Sequence, residues 1–331
     1  MYAFILKSGG DMADISKVKD TAEALINETG KIIIGKRKQL ELIITAIICN
    51  GHVLLEDLPG SGKTTLVRTL AIALGCERKR IQFTPDLLPS DVVGTTIFNQ
   101  ASGSFETRLG PVSTNLLLAD EINRAIPRTQ AALLEAMEER QVTIDGKTFA
   151  LPDPFFVMAT QNPIEKESTF PLPAAQLDRF FLKLSLGYPD KEEELSMLDV
   201  VGDSIPFDKL NAVTDPAGIE EMREAVRSVH MDDSIKEYIV RVVQKTRKDP
   251  NLRMGASPRA SRCLYQGSKA LAAVRGRSYV IPEDVQDLFI PVMSHRTDLS
   301  TQATYRGADK NSVIKSIIES EPVPPVKEKM L

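Results

Sequence analysis

Tryptophan is absent from this chain of 331 residues, and aromatic residues make up only 5% of it. Proteins that grip single-stranded nucleic acid rely on aromatic stacking platforms, so this composition argues against that class. Cysteine is scarce as well. Cys49, Cys76 and Cys263 are odd in number, scattered and without metal-type spacing. They read as reduced thiols of a cytosolic protein rather than a disulfide framework. The histidines, His52, His230 and His295, are equally dispersed. No pair has helix-face spacing, which argues against a structural metal site. A positive excess is also missing, with Lys+Arg 41 against Asp+Glu 45 and a net charge of −4. Nothing in bulk favours DNA or RNA, although a local basic channel stays open. No apolar run reaches the roughly 18 residues that a membrane span needs. The apolar start, Met1 to Leu6, is too short for a signal segment, and Asp11 and Asp14 soon follow. The expectation is a cytoplasmic, mildly acidic globular protein whose length suggests about two domains.

What is present is an alternation of helical and strand-like patterns. Ile15, Val18, Ala22, Leu25 and Ile26 recur at helical spacing, and a second helix, apolar nearly all round, runs from Gln39 to Cys49. His52-Val53-Leu54-Leu55-Glu56 reads as a short buried strand, broken at Pro59-Gly60. A helix follows from Lys63 to Leu74, stopped by Gly75. The runs Asn115 to Ala119 and Phe155 to Ala159 are apolar without alternation, as strands buried on both faces of a parallel sheet are. Pro127 opens a helix to Glu139. An α/β open sheet is therefore expected.

Two segments interrupt that pattern. Val142 to Phe149, with its Asp145-Gly146 turn, reads as a hairpin, and so does Ile97 to Arg108 around Ser102-Gly103-Ser104. Both are expected to project from the sheet. Beyond Gly187 to Asp190 helical patterns take over, at Glu192 to Val200, Ile219 to Val229, Asp233 to Lys245, Arg259 to Arg275 and Pro282 to Ser294. A separate all-helical domain without strands is expected over residues 189–331, following an α/β domain over residues 1–188, with a frayed tail from Pro322.

The chemistry starts at Pro59-Gly60-Ser61-Gly62-Lys63-Thr64-Thr65. Amide groups of a glycine turn and the following helix N-terminus face phosphate oxygens. Lys63 supplies charge to the β and γ phosphates, and the Thr64 hydroxyl can ligate Mg²⁺. The first glycine of the usual G-x-x-x-x-G-K-[ST] pattern is Asp57 here. Asp120-Glu121 ends an apolar strand, where a carboxylate faces the ligand crevice of an open sheet. Asp120 is expected in the Mg²⁺ shell, and Glu121 is expected to polarise the attacking water. Taken alone, acidic residues after apolar strands are common; behind a phosphate loop the pair is informative. Asn162 ends the next strand, where an amide can orient water or touch the γ-phosphate; by itself it reads as a turn residue before Pro163. Arg179, just before the last strand, and Arg259, opening a helix of the second domain, are candidates to neutralise transition-state charge. Each in isolation reads better as a surface arginine in an ion pair, worth little.

In order along the chain, these motifs are similar to those of an AAA+ ATPase, and within that superfamily the chain resembles the MoxR family. The segments that carry the resemblance are Ile33-Ile34-Gly35-Lys36, the loop from Leu54 to Thr64, Gln82-Phe83-Thr84-Pro85-Asp86-Leu87-Leu88-Pro89-Ser90-Asp91 and Asp120-Glu121-Ile122-Asn123-Arg124-Ala125. Ala159-Thr160-Gln161-Asn162-Pro163, Leu172-Pro173-Ala174-Ala175-Gln176-Leu177-Asp178-Arg179-Phe180 and Gly255-Ala256-Ser257-Pro258-Arg259-Ala260 complete the set.

The resemblance implies a parallel five-stranded sheet with a helical lid, and a homo-oligomeric ring, usually hexameric, with ATP and Mg²⁺ between subunits. It implies that Ile34 and Gly35 lie near the adenine, and that Asp57, Leu58, Pro59, Gly60, Ser61, Gly62, Lys63, Thr64 and Thr65 form the nucleotide loop. Asn162 matches the sensor 1 position and Arg259 the sensor 2 position, and Arg179 looks like the finger reaching a neighbour's ATP. The two hairpins match the family's helix-2 and pre-sensor-1 inserts, which in related machines face the pore or the client. MoxR-like proteins are thought to act as chaperones that mature or activate other proteins, often with a partner carrying a von Willebrand factor A domain. A nucleic-acid motor or loader of the same branch is the alternative, and a nucleotide-gated regulator that hydrolyses poorly is a third. The acidic balance weighs against the former, and the intact Asp120-Glu121 pair against the latter.

Overall fold

A computed structural model of the chain describes residues 14–57, 60–162, 169–201 and 205–324. Leu58 and Pro59 of the loop, the apolar start and residues 325–331 lie outside these. The described residues begin with α1 (Ile15–Gly30) and α2 (Arg37–Ile48), followed by β1 (Val53–Glu56) and α3 (Lys63–Ala73). Next come β2 (Arg78–Gln82), α4 (Pro89–Val93) and the hairpin β3 (Gly94–Asn99) and β4 (Ser104–Leu109). β5 (Leu116–Asp120) and α5 (Pro127–Glu139) lead to the second hairpin, β6 (Gln141–Ile144) and β7 (Lys147–Ala150), and then to β8 (Phe156–Gln161), α6 (Ala174–Leu177) and β9 (Leu182–Leu184).

β2, β5, β8, β1 and β9 form one sheet in that order, and every pairing is parallel. Strand side chains alternate between faces. Val53, Leu55, Leu116, Leu118, Phe156 and Met158 accordingly enter one core, and Leu54, Leu117, Ala119, Val157 and Ala159 enter another on the opposite face. The first core receives α1, α2 and α3; the second receives α5 through Leu133, Leu134 and Met137. Having both faces covered explains why these strands lack polar alternation. The second hairpin turns through Asp145 at φ 48° and Gly146 at φ 77°, which is the two-residue geometry that Asp-Gly favours.

After β9 the helices α7 (Lys191–Val201), α8 (Pro216–Arg227), α9 (Asp233–Thr246), α10 (Pro258–Val274) and α11 (Pro282–Met293) appear within a few residues of where the periodicity puts them. The expectation of a strandless second domain is incorrect. β10 (Leu252–Met254) pairs antiparallel with β11 (Asp298–Leu299), and α12 (Thr301–Tyr305) and α13 (Lys310–Glu319) extend the fold beyond Ser294. Such short strands carry too few residues to show a period. β2 is also hard to see in the sequence, because an edge strand can be charged, and here only Ile81 of Arg78-Lys79-Arg80-Ile81-Gln82 is buried. α10 and α11 share the first core with α1 and α2, so a single apolar interior continues from the sheet into the later helices.

Candidate functional site

The phosphate loop leaves β1 and enters α3 through Gly60 at φ 81° and Gly62 at φ 80°. A Cβ at either glycine would meet no atom within 4 Å, so it is the left-handed backbone, not crowding, that requires glycine. One cleft is lined by Gly60, Ser61, Gly62, Lys63, Thr64 and Thr65 together with Asp120, Glu121 and Asn162. Parallel register puts the ends of β1, β5 and β8 side by side, which is why residues a hundred positions apart meet here. Lys63 Nζ donates to the Asp57 carbonyl at 3.0 Å. The Ser61 hydroxyl is buried and has no hydrogen-bond partner among the described residues, an orphan that a phosphate oxygen would satisfy. Thr64 and Asp120 contribute two hard oxygens, a donor set of the kind Mg²⁺ takes when phosphates and water complete its shell.

Several residues that the sequence reading did not single out hold the acidic pair. Asp120 accepts from Thr160 Oγ1 at 2.6 Å and from Arg80 at 2.7 Å. Glu121 has a left-handed backbone, φ 55° and ψ 49°, rare for a residue with a Cβ. Its amide donates to Thr160 Oγ1 at 2.8 Å. Its carboxylate accepts from Gln82 at 2.8 Å and from Arg124 at 3.0 Å. Arg80 and Gln82 both come from β2, so the strand that was not foreseen supplies two contacts to the acidic pair.

Arg179 and Arg259 are elsewhere. Leu182 pairs with Val53, the first residue of β1, so Arg179 precedes β9 at the edge of the sheet where β1 begins. The loop leaves from the other edge. The two arginines share one partner, Glu138 near the end of α5, with Arg179 at 3.1 Å and Arg259 at 2.5 Å. Arg179 also donates to the Leu134 carbonyl at 2.8 Å. Adjacent contacts fasten the segment. Ser257 Oγ donates to Asp178 at 2.8 Å, and Arg296, only 1% exposed, pairs with the same carboxylate at 2.8 Å. Arg296 further donates to the carbonyls of Phe180, Phe181 and Val292. Arg140, Arg179, Arg259, Arg262 and Arg296 all line this second cleft.

Two sequence-family models match the chain. One, for the ATPase family associated with various cellular activities (AAA), covers residues 52–182, and an AAA lid domain covers residues 244–317. Chaperone MoxR1 of Mycobacterium tuberculosis is 43% identical over 92% of this chain and 83% of its own length. The chain belongs to the MoxR family of AAA+ ATPases. Other relatives are YeaC of Bacillus subtilis, of uncharacterised function, 49% identical over 90% of this chain and 93% of YeaC, and MoxR of Paracoccus denitrificans, 31% identical over 84% and 88%. A crystal structure described as a candidate ATPase of Cytophaga hutchinsonii superposes with a TM-score of 0.87 at 37% identity, covering 94% of this chain and 97% of the other.

As an AAA+ ATPase of this family, the protein hydrolyses ATP. Ile34 and Gly35 lie where α1 passes to α2, and Gly35 has φ 73°. The Glu193 carboxylate of α7 covers Gly35 so closely that a Cβ would overlap it at 1.8 Å. Lys36 donates to that carboxylate and to the Tyr188 carbonyl, each at 3.2 Å. On the first hairpin, Phe98 and Phe105 form an edge-to-face pair 5.3 Å apart and are 54% and 75% exposed. No histidine or cysteine lines the loop cleft. His52 accepts from the Val157 amide at 3.0 Å and lies 3.1 Å from the Met137 carbonyl; burial drives its basicity down to about 3. Burial likewise pushes the Cys76 thiol up to about 11 and those of Cys49 and Cys263 upward, so all three stay protonated.

Proposed function

We propose that this AAA+ ATPase of the chaperone class works as a homo-oligomeric ring, hexameric by family analogy, in which each ATP is completed by two subunits. The observation that carries this reading is the separation of the two clefts. The loop, Asp120, Glu121 and Asn162 share one cleft, while Arg179 and Arg259 share Glu138 at the other edge of the sheet. β1 alone puts roughly 10–13 Å of strand between the edges. An arginine at the far edge acts most directly on a neighbour's nucleotide. ATP would place its phosphates on residues 60–65 and its base near Ile34 and Gly35. Asp57 joins the loop by its carbonyl.

Thr64 and Asp120 would hold Mg²⁺, which when bound would neutralise charge on the phosphates. Glu121 draws a proton from the attacking water, and Asn162 orients that water. Arg179 and Arg259 of the adjacent subunit stabilise charge developing on the leaving phosphates. Gln82 and Arg124 set the direction of the Glu121 carboxylate. The α/β domain ends at residue 188 and the helical lid follows. The ring is cytoplasmic; no helix among the described residues is long and apolar enough to cross a membrane. Its clients are proteins, engaged through the hairpin that carries Phe98 and Phe105, with a von Willebrand factor A domain protein as cofactor. The test mixes Arg179→Ala with Glu121→Gln. Each alone is expected to be inactive, whereas mixed rings contain whole interfaces and recover part of the rate. No recovery across mixing ratios would overturn the shared site.

A further inference from the structure

Asp57 occupies the position where the phosphate-loop pattern has its first glycine. Glycine there has no side chain to use. The Asp57 carboxylate is buried, and it does not face the phosphate cleft. One oxygen accepts from Ser185 Oγ at 2.6 Å and the Gly187 amide at 3.1 Å; the other accepts from the Leu186 amide at 2.9 Å. Residues 185–190 connect β9 to α7, and so join the sheet to the helical region that bears Arg259. The same residue's carbonyl holds Lys63 Nζ at 3.0 Å. A second fastener acts on the connector from the other side, where Lys36, next to Gly35, donates to the Tyr188 carbonyl and to Glu193.

We propose that Asp57 is a positioning residue that ties the phosphate loop to the sheet-to-lid connector, so that filling of the loop is transmitted to the lid and its arginine. The inference rests on the loop being the nucleotide site. Phosphate draws Lys63 away from the Asp57 carbonyl. Any shift of the Asp57 backbone is then carried through three short bonds to Ser185, Leu186 and Gly187. A loop glycine could not transmit it. Charge-assisted bonds of this kind are among the stronger contacts a buried carboxylate makes. Gly187, at φ 64°, gives the connector a backbone state that side-chain-bearing residues rarely adopt, and so fixes its path.

The experiment compares wild type, Asp57→Gly, Asp57→Asn and Ser185→Ala, all as the full chain. It reads steady-state ATPase kinetics and hydrogen exchange at the Leu186 and Gly187 amides, with and without ADP or a non-hydrolysable ATP analogue. In wild type, nucleotide is expected to change the protection of these two amides. Asp57→Gly restores the common motif, and its amides should exchange fast in every state. Its kcat should fall roughly tenfold while the KM for ATP moves less than about threefold. Asp57→Asn keeps the oxygen that serves Ser185 and Gly187 but turns an amide toward the Leu186 N–H, so it should fall in between. Ser185→Ala leaves the loop untouched and should shift kcat in the same direction by a smaller factor. A purely structural staple would lower melting temperature without nucleotide-dependent exchange. The proposal is overturned if wild-type protection at Leu186 and Gly187 ignores nucleotide, or if Asp57→Gly and Ser185→Ala keep the wild-type kcat. Should Asp57→Gly fail to fold, wild-type exchange and Ser185→Ala still decide. Unchanged nucleotide binding in Lys63→Ala would instead remove the loop assignment itself.

Discussion

The two polar clefts of this ATPase lie on opposite edges of one sheet, and they are built in different ways. The loop cleft is made of strand ends and a helix N-terminus, so neighbouring parallel strands position it directly. The arginine cleft has no such scaffold. Its charged members come from α5, the turn before β9, the start of α10 and the segment just after α11, and charged bonds through Glu138 and Asp178 hold them together. The first cleft gathers its lining from neighbouring strand ends and one helix start; the second gathers arginines at the opposite ends of the strands.

The comparison breaks most visibly with Arg179→Ala. Turnover of the assembly should fall by about 10³–10⁵ while nucleotide binding to the loop is kept, as expected for an arginine acting on developing charge. A matching loss of nucleotide affinity would mean that the clefts are not independent. Glu121→Gln tests the loop cleft alone. The amide cannot take a proton, so ATP should still bind while the rate drops by about 10²–10⁴, read by single-turnover hydrolysis. Copurification with this stalled form should also capture clients. Lys63→Ala removes one charge-assisted contact and should weaken nucleotide binding about ten- to a hundredfold in an equilibrium titration, without altering Arg179 or Arg259.

pH sharpens the contrast between chemistry and scaffold. His52 and His295 are buried, and burial depresses the basicity of both. The folded state therefore binds fewer protons than the unfolded chain. The stability that these two histidines contribute is fully present above about pH 6.5, the ordinary imidazole value, and declines as pH falls below it, toward about 3 for His52. Each imidazole contributes a slope of roughly 1.4 kcal/mol per pH unit in that window, measurable by denaturant titration. The smallest effect is expected from Glu138→Gln. Its partners are partly exposed, so stability should change by less than about 1 kcal/mol. The arginines, freed from each other, should lose alignment, which shows as a modest fall in kcat with KM kept.

Local pattern was enough to read the strand–loop–helix around Lys63, the acidic end of β5, the Asp145-Gly146 hairpin and the later amphipathic helices, because glycine turns and side-chain periods act over a few residues. β2 was not legible, since a charged edge strand has no apolar period, and the contacts that Arg80 and Gln82 make to the acidic pair were missed with it. β10 and β11 were too short to signal themselves. Tertiary structure alone decided the rest. That Asp57 turns its carboxylate to Ser185, that Glu138 joins Arg179 to Arg259, and that Arg296 locks the turn carrying Arg179 are contacts across 41 to 128 positions of chain. Such contacts depend on strand register and helix packing, which bring distant residues together without leaving a local mark. The chain's own residues name the chemistry; only the fold assigns each charge to an edge of the sheet.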